Sequence, residues 1–434
     1  MEAAVTSQEN LATTASPLEH YTRNAWALAS DSALFTIGMS LTSATTVLPA
    51  FVATLTDSEM LVGVASGLST AAWLLPQLLI ASMISHRPRQ KPLIVGAAFA
   101  SRPLYFVAGL VIWSLGTTRP TLSLAIMLAT IAIFFTGDAV VSVPWFALLG
   151  KLIPPRRRGR VVGLSQVAGG LGGIAAGGAV SYLLSEESAI AFPGNFAVLY
   201  MAASIMFLLS AVALACIKEP VSDTVPRGDQ PSTREILREL PRLIANDRPF
   251  LAMQMVRILA GFVALASAFY VLHATRILGL PLSATGLFVS AQVAGTLAAG
   301  LAMSLLQDRA GPLVHMRVVV LASCFVPALA LGITASASAL GSGLLYAYLG
   351  LFFFLGLVNG SAGWPYYNWI LEYADETRRP LYIGVSNTLG AASMLAYPLG
   401  GWIVSAFSYP TAFVLALVFG LAALVLSLRV PSVR

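Results

Sequence analysis

"PWFALLGKLIPPRRRGRVVG", residues 144–163, joins two apolar runs through a loop holding Lys151 and four arginines: Arg156, Arg157, Arg158 and Arg160. Shifted by 221 residues without a gap, the segment from Pro144 lies over "PYYNWILEYADETRRPLYIGVSNTLG", residues 365–390. Pro144 meets Pro365, Arg157 and Arg158 meet Arg378 and Arg379, Gly163 meets Gly384, Ser165 meets Ser386 and Gly169 meets Gly390. Apolar composition inflates chance identity, so the order of features carries the comparison. Each copy runs from a proline in an apolar stretch through aromatics, a loop, an arginine pair and a glycine to a stretch of small residues. The chain reads as a duplication, and the arginines mark equivalent loops in its two copies.

The medium follows from composition. Of the 434 residues, 57% are hydrophobic and only 10% are charged, against about 25% charged in a soluble domain. Runs such as "FAVLYMAASIMFLLSAVALACI" reach the roughly 20 residues that span a bilayer as helix. This predicts an all-α polytopic membrane protein. Twelve spans are expected near 25–55, 60–84, 92–116, 121–149, 161–184, 194–217, 249–274, 283–306, 316–336, 342–371, 381–406 and 409–429, with a bend of the first at Pro49. Residues 1–24 read as a polar tail without signal-peptide character. Cys216 and Cys324 lie in apolar runs and indicate neither a disulfide nor a metal site.

Loop charge assigns the sides. With the N-terminus inside, inner segments carry 21 lysines and arginines and outer loops carry two, Arg119 and Arg276. Both termini are therefore expected in the cytoplasm of a plasma (inner) membrane. The expected organisation is a tail at 1–24, six spans at 25–217, a cytoplasmic link at 218–248 and six spans at 249–434. In the link, Ser232 and Glu235 form a capping-box pattern, and Ile236, Leu237, Leu240, Leu243 and Ile244 recur at helical spacing, as in a short amphipathic helix at the membrane face.

At this point the chain resembles the major facilitator superfamily. That family carries a motif of the form G-x-x-x-D-R-x-G-R-R between spans 2 and 3, repeated between spans 8 and 9. The first copy here is "ASMISHRPRQK", with Ala81, Ser85 and Pro88 replacing family residues and Arg89 at a family arginine. The second is "SLLQDRAGPLV", where Asp308, Arg309 and Gly311 match. The resemblance implies a two-bundle fold whose substrate cavity is lined by spans 1, 4, 7 and 10. It implies that Asp308 locks one conformational state. The family's antiporter signature is not met, because "GGLGGIAAGGA" in span 5 lacks its proline.

Charges within spans are few: Asp31, Arg102, Asp138 and Arg257, with His273 near an outer end. Each costs about 2.5–3.5 kcal/mol at the bilayer centre, so each should face a partner or a water-filled cavity. Arg102 and Asp138 fall at equal depth in adjacent spans, which predicts that they pair. Asp31 and Asp138 are the proton-coupling candidates, with Arg102 and Arg257 as buried charge partners. Arg257 is also a candidate for an anionic substrate group, or for an inner-gate bridge with Asp31. His273 is expected at the interface. Substrate-cavity candidates are Gln77, Gln166, Gln292 and Asn387, with Asn359, Trp364, Tyr366, Tyr367 and Asn368 of span 10. Arg89, Arg157, Arg158, Asp308, Arg309, Gly311, Arg378 and Arg379 form the candidate gating loops.

The function implied is secondary transport of a small-molecule substrate by alternating access, with protons as the coupling ion. An uncoupled facilitator and a non-transporting sensor are the alternatives. No P-loop or clustered catalytic set appears, so neither an ATP-driven pump nor a membrane enzyme is indicated. The expected partners are the solute, protons and anionic lipid headgroups. Nucleic acid, cofactor and metal are not expected, and the chain is expected to be a monomer.

Overall fold

The computed structural model describes residues 20–76, 89–220, 238, 241, 246–375 and 378–433. Gln77, the first motif copy as far as Pro88 and most of the link's amphipathic segment lie outside these residues. Among the described residues the secondary structure is helical, with no strand. Nine helices among the described residues are long and apolar enough to cross a membrane. One of them, Ala284–Ala335, is spans 8 and 9 run together: Gly311, at φ 81° and ψ 175°, breaks it. That backbone region is open to glycine and strained for other residues, which gives the second motif copy a conformational need for its glycine. Span 1 is built from Tyr21–Leu41 and Val47–Leu55, and span 2 begins as Glu59–Leu74. The rest are span 3 (Lys91–Leu115), span 4 (Pro120–Leu152), span 5 (Pro155–Leu183), span 6 (Gly194–Ala215), span 7 (Arg248–Ile277), span 10 (Ala337–Tyr373), span 11 (Leu381–Ala406) and span 12 (Tyr409–Ser427). The protein is a polytopic, all-α, multi-pass membrane protein.

Prolines and small polar residues start these helices. Pro120, Pro155, Pro365 and Pro410 stand in first turns, where the missing N–H costs nothing. Ser58, Asp247 and Ser408 accept from the backbone N–H groups of Leu61, Phe250 and Thr411, as N-caps do. The expected bend of span 1 at Pro49 is displaced. The break falls at residues 42–46, and Pro49 sits in the first turn of Val47–Leu55, where proline is tolerated.

The duplication survives in atomic detail. Arg158 Nε donates to the Ile153 carbonyl at 2.9 Å, and Arg379 Nε donates to the Ala374 carbonyl at 3.1 Å. Ile153 and Ala374 are the C-cap residues of the helices that end spans 4 and 10. The second arginine of each pair therefore places a cation on the orphan carbonyl end of the preceding span. The first arginine of each pair lies over a ring instead: Arg157 over Tyr21 at 4.8 Å and Arg378 over Tyr382 at 5.5 Å.

Span 1 packs on spans 5 and 6, and span 7 packs on span 12; across the duplication, span 5 meets span 8 and span 2 meets span 11. These crossings are tightest at the face opposite the basic loops, called here the far face. A methyl at Gly177 would overlap Ser290 and the Gly286 carbonyl, and one at Gly286 would overlap Gly177 and Ser181. Small residues are what allow helix backbones to approach this closely in a bilayer.

Candidate functional site

Two arrangements of charge and one cavity make up the candidate site. The first arrangement begins with a local fault in span 3. Pro103 has no N–H, and regular helix stops at Ser101 and resumes at Leu104. The Phe106 N–H donates to the Pro103 carbonyl, at 3.0 Å, and the Arg102 carbonyl accepts from the Ser204 hydroxyl instead, at 2.9 Å. The Arg102 guanidinium lies 3.4 Å from Asp31 Oδ1. It donates to Ser210 Oγ at 2.9 Å and to the Phe207 carbonyl at 3.2 Å, and it sits over the Phe35 ring. Ser210 Oγ in turn donates to Asp31 Oδ1 at 2.5 Å, and Trp145 Nε1 donates to Asp31 Oδ2 at 2.9 Å. Arg102 is 3% exposed and Asp31 is 4% exposed. This is a desolvated ion pair with its remaining polar atoms satisfied, the condition under which such a pair can be tolerated.

The expected Arg102–Asp138 pair is thus replaced by Arg102–Asp31. Asp138 is half-buried and lies near Trp73, Arg102 and Asp31. Equal depth on adjacent helices was a sound criterion for proximity, but helix rotation chose the partner. Span 6 supplies Ser204, Ser210 and the Phe207 carbonyl, none of which the sequence reading singled out. The available signal was a pair of serines six residues apart in an otherwise apolar span.

The second arrangement lies in the later spans. Arg257 donates to Ser386 Oγ and, at 3.3 Å, to Asn387 Oδ1; Ser386 Oγ donates to Gln254 Oε1 at 3.1 Å. Tyr366 shares its field. Among the described residues no carboxylate pairs with Arg257, so the bridge to Asp31 is not formed. Under the 221-residue shift, Tyr366 is the counterpart of Trp145, and Ser386 and Asn387 are the counterparts of Ser165 and Gln166. An aromatic of span 4 therefore addresses the charge of span 1, and the equivalent aromatic of span 10 addresses the charge of span 7.

Between the two sets of spans lies a cavity of about 490 Å³. Span 1 contributes Ser32, Thr36, Ser40 and Thr45, span 5 contributes Gln166, span 8 contributes Gln292 and Thr296, and span 10 contributes Gly360. Its polar lining is hydroxyl and amide, with no charged side chain. Of the remaining candidates, Tyr366 is buried, Asn368 is half-buried, and Asn359, Trp364 and Tyr367 are exposed. Asp308 and Arg309 are exposed beside the buried Gly311.

The far face closes over this cavity. Thr45 donates to Gln292 Oε1 at 2.8 Å, and Ser290 donates to the Ile174 carbonyl at 3.0 Å. Arg276 bridges Glu59 at 3.1 Å, and Tyr409 donates to the same oxygen at 2.6 Å. Each of these bonds crosses between the early and late spans. The bonds seen at the basic face stay within one set: Glu219 with Lys151 and the Gln90 and Lys91 amides, and Asp247 with Tyr373 and Tyr382. His273, expected at the interface, is fully buried behind the far-face closure. It meets the Tyr348 hydroxyl and Thr334, and its ring lies beside Tyr409 and Phe413.

Comparison with solved structures places this arrangement in a known architecture. A D-xylose-proton symporter shares 17% identity at a TM-score of 0.67, over 94% of this chain and 98% of its own. A nucleoside transporter shares 15% identity at a TM-score of 0.67, over 94% and 100%. A bacterial homologue of the iron transporter ferroportin, in an inward-facing state, shares 15% identity at 0.66, over 94% and 98%. At such identities the likeness is one of fold, and the three named cargoes differ widely. No curated protein sequence matches significantly. The sequence model of the Major Facilitator Superfamily matches residues 5–177, 97–394 and 271–434, and because these matches together span nearly the whole sequence, the chain belongs to that superfamily.

Proposed function

We propose that the protein is a proton-coupled secondary transporter that moves a small polar solute by alternating access, without chemical change to the solute. In this reading the basic face lies in the cytoplasm, and the structure is the state open to that side. The observation that carries it is the asymmetry of the bonds just described: those at the far face join the two sets of spans, and those at the basic face do not. A cavity closed at one face and set between two parallel repeats is the geometry that rocking of one repeat against the other requires. The hydroxyl and amide lining fits a solute recognised by hydrogen bonds, with Gln166 and Gln292 as its first contacts.

Coupling rests on the count of charges around Arg102. Two carboxylates, Asp31 and Asp138, share one guanidinium in an apolar setting. Asp31 takes the ion pair, and Asp138 is left to carry the exchangeable proton. In proteoliposomes, an imposed gradient of one pH unit should drive up to about tenfold solute accumulation per coupled proton. Asp138→Asn should remove that response and keep solute exchange at equal pH. Gradient-driven uptake that survives the substitution rules out this role for Asp138.

Arg257 favours one specific alternative, in which the solute carries an anionic group that supplies the missing countercharge. Thermal-shift screening of neutral polar solutes and their carboxylated or phosphorylated analogues separates the two. For a neutral solute, Gln166→Ala weakens the stabilisation at least threefold and Arg257→Gln leaves it. For an anionic solute, Arg257→Gln abolishes it.

A further inference from the structure

The polar pocket at the basic ends of spans 1, 3, 4 and 6 is separate from the cavity between the repeats, and the transport reading does not use it. It has a volume of about 380 Å³, within the range of ligand sites. Arg89, Lys91, Lys151 and Lys218 line it, and its acid is Glu219. The Glu219 side chain is 2% exposed and its carboxylate is already engaged. Lys151 reaches one oxygen at 3.1 Å, and the Gln90 and Lys91 amides donate to the other at 2.9 and 2.8 Å. Asn24 fixes the rim by bonding the Lys218 backbone through both its amide atoms, at 3.0 and 2.9 Å.

One carboxylate cannot balance four cations. Among the described residues, Arg89, Lys91 and Lys218 have no carboxylate partner, yet they border one half-open pocket rather than standing apart from one another. The helices that carry Lys91 and lead into Lys218 also bear exposed apolar residues further along. Phe99 on span 3 is 41% exposed, and Leu209 and Val212 on span 6 are 46% and 48% exposed. At 1.5 Å per residue, Phe99 lies roughly 12 Å along its helix from Lys91, and Val212 lies roughly 4.5 Å before the end of its helix at Ala215, three residues ahead of Lys218. Basic groups at the membrane surface beneath an apolar helix face match an anionic phospholipid in both its parts.

We propose that this pocket binds a phosphate group, supplied by the headgroup of an anionic phospholipid whose acyl chains lie along the exposed faces of spans 3 and 6. The site joins the link residues Lys218 and Glu219 to spans 3 and 4, so an occupied site clamps the start of the link to the early spans. It is distinct from the arginines at 156–160, which border no part of it.

Native mass spectrometry of the full-length protein in detergent tests this, with phosphatidylglycerol and phosphatidylcholine competing at equal concentration. The wild type should retain at least fivefold more phosphatidylglycerol. The Arg89→Gln/Lys218→Gln variant should lose that preference, while Arg156→Gln/Arg160→Gln keeps it. Inorganic phosphate forms the second arm. If millimolar phosphate raises the melting temperature of delipidated wild type but not of Arg89→Gln/Lys218→Gln, and no lipid preference exists, the phosphate chemistry stands and the lipid source is overturned. Equal retention of both lipids with no phosphate effect overturns the site, as does a lipid preference that persists in Arg89→Gln/Lys218→Gln. Transport enters neither readout, so failure here is separable from failure of the transport reading.

Discussion

Replacing Arg102 by glutamine destabilises the folded protein by about 3–5 kcal/mol, the cost of leaving one member of a buried ion pair alone. The argument rests on desolvation. Asp31 and Arg102 are almost fully withdrawn from solvent, and the surrounding spans offer no second cation to replace the guanidinium. Ser210 and Trp145 would still bond the carboxylate, but neutral donors do not compensate a whole charge. Asp31→Asn should be costly by the same logic, because it leaves Arg102 with a serine, a backbone carbonyl and a ring. The double variant Asp31→Asn/Arg102→Gln should recover most of the loss, since a neutral amide pair of similar shape can bond across the same gap. Melting curves in detergent for the four proteins form a double-mutant cycle. Additive losses would show that the two residues do not act as a pair. Transport gives the second reading. If the pair sets the charge balance around Asp138, the double variant is stable yet transports at least tenfold more slowly. A stable double variant with wild-type transport makes the pair a packing device alone.

What the sequence could and could not determine is well shown by these residues. The spans were legible because hydrophobic length is a one-dimensional property, and the duplication was legible because its markers keep their order along the chain. Even the role of Arg158 and Arg379 was within reach, since a basic residue five positions beyond a helix end can return to it. The partner of Arg102 was not legible. Depth could be counted along each helix, but the choice between Asp31 and Asp138 depended on the rotation of spans 1, 3 and 4 about their axes. The rings of Phe35, Tyr105, Phe134 and Phe207 pack together where spans 1, 3, 4 and 6 meet, and such a many-body arrangement has no linear signature. His273 failed for a related reason. Its depth was near the outer end, but the turn there is a π-helix, His273–Ile277, which carries the ring behind Tyr409 and leaves Arg276 to reach Glu59. The cavity lining shows the same limit: the candidates Gln166 and Gln292 border it, but spans 4 and 7, expected from the family resemblance, contribute no lining residue, and none of the intramembrane charges is in the lining.

The largest functional effect should come from the seam where spans 5 and 8 meet at the far face. Gly177 and Gly286 face one another; a side chain at Gly286 would run into the backbone of Ser181 and Gly177, which cannot swing aside, and one at Gly177 would meet the Ser290 hydroxyl and the Gly286 carbonyl. Overpacking of this kind costs about 1–3 kcal/mol. Because the clash lies between the two sets of spans, opening the far face relieves it without disturbing either set. A cost borne by one state alone shifts the balance between states by about 5- to 150-fold. Gly286→Val should therefore drive the protein toward a far-face-open state, lower transport by at least tenfold and leave the melting temperature within a few degrees. Gly178 supplies the control. It is next in sequence to Gly177, but nothing lies near the position its side chain would take, so Gly178→Val should leave both transport and conformation unchanged. Spin labels at Asp57→Cys and Pro281→Cys, in a background without Cys216, would report the distance across the far face. A longer distance in Gly286→Val but not in Gly178→Val is the expected result. An unchanged distance with lost transport would mean that the seam is static packing, and that alternating access in this protein does not pass through it.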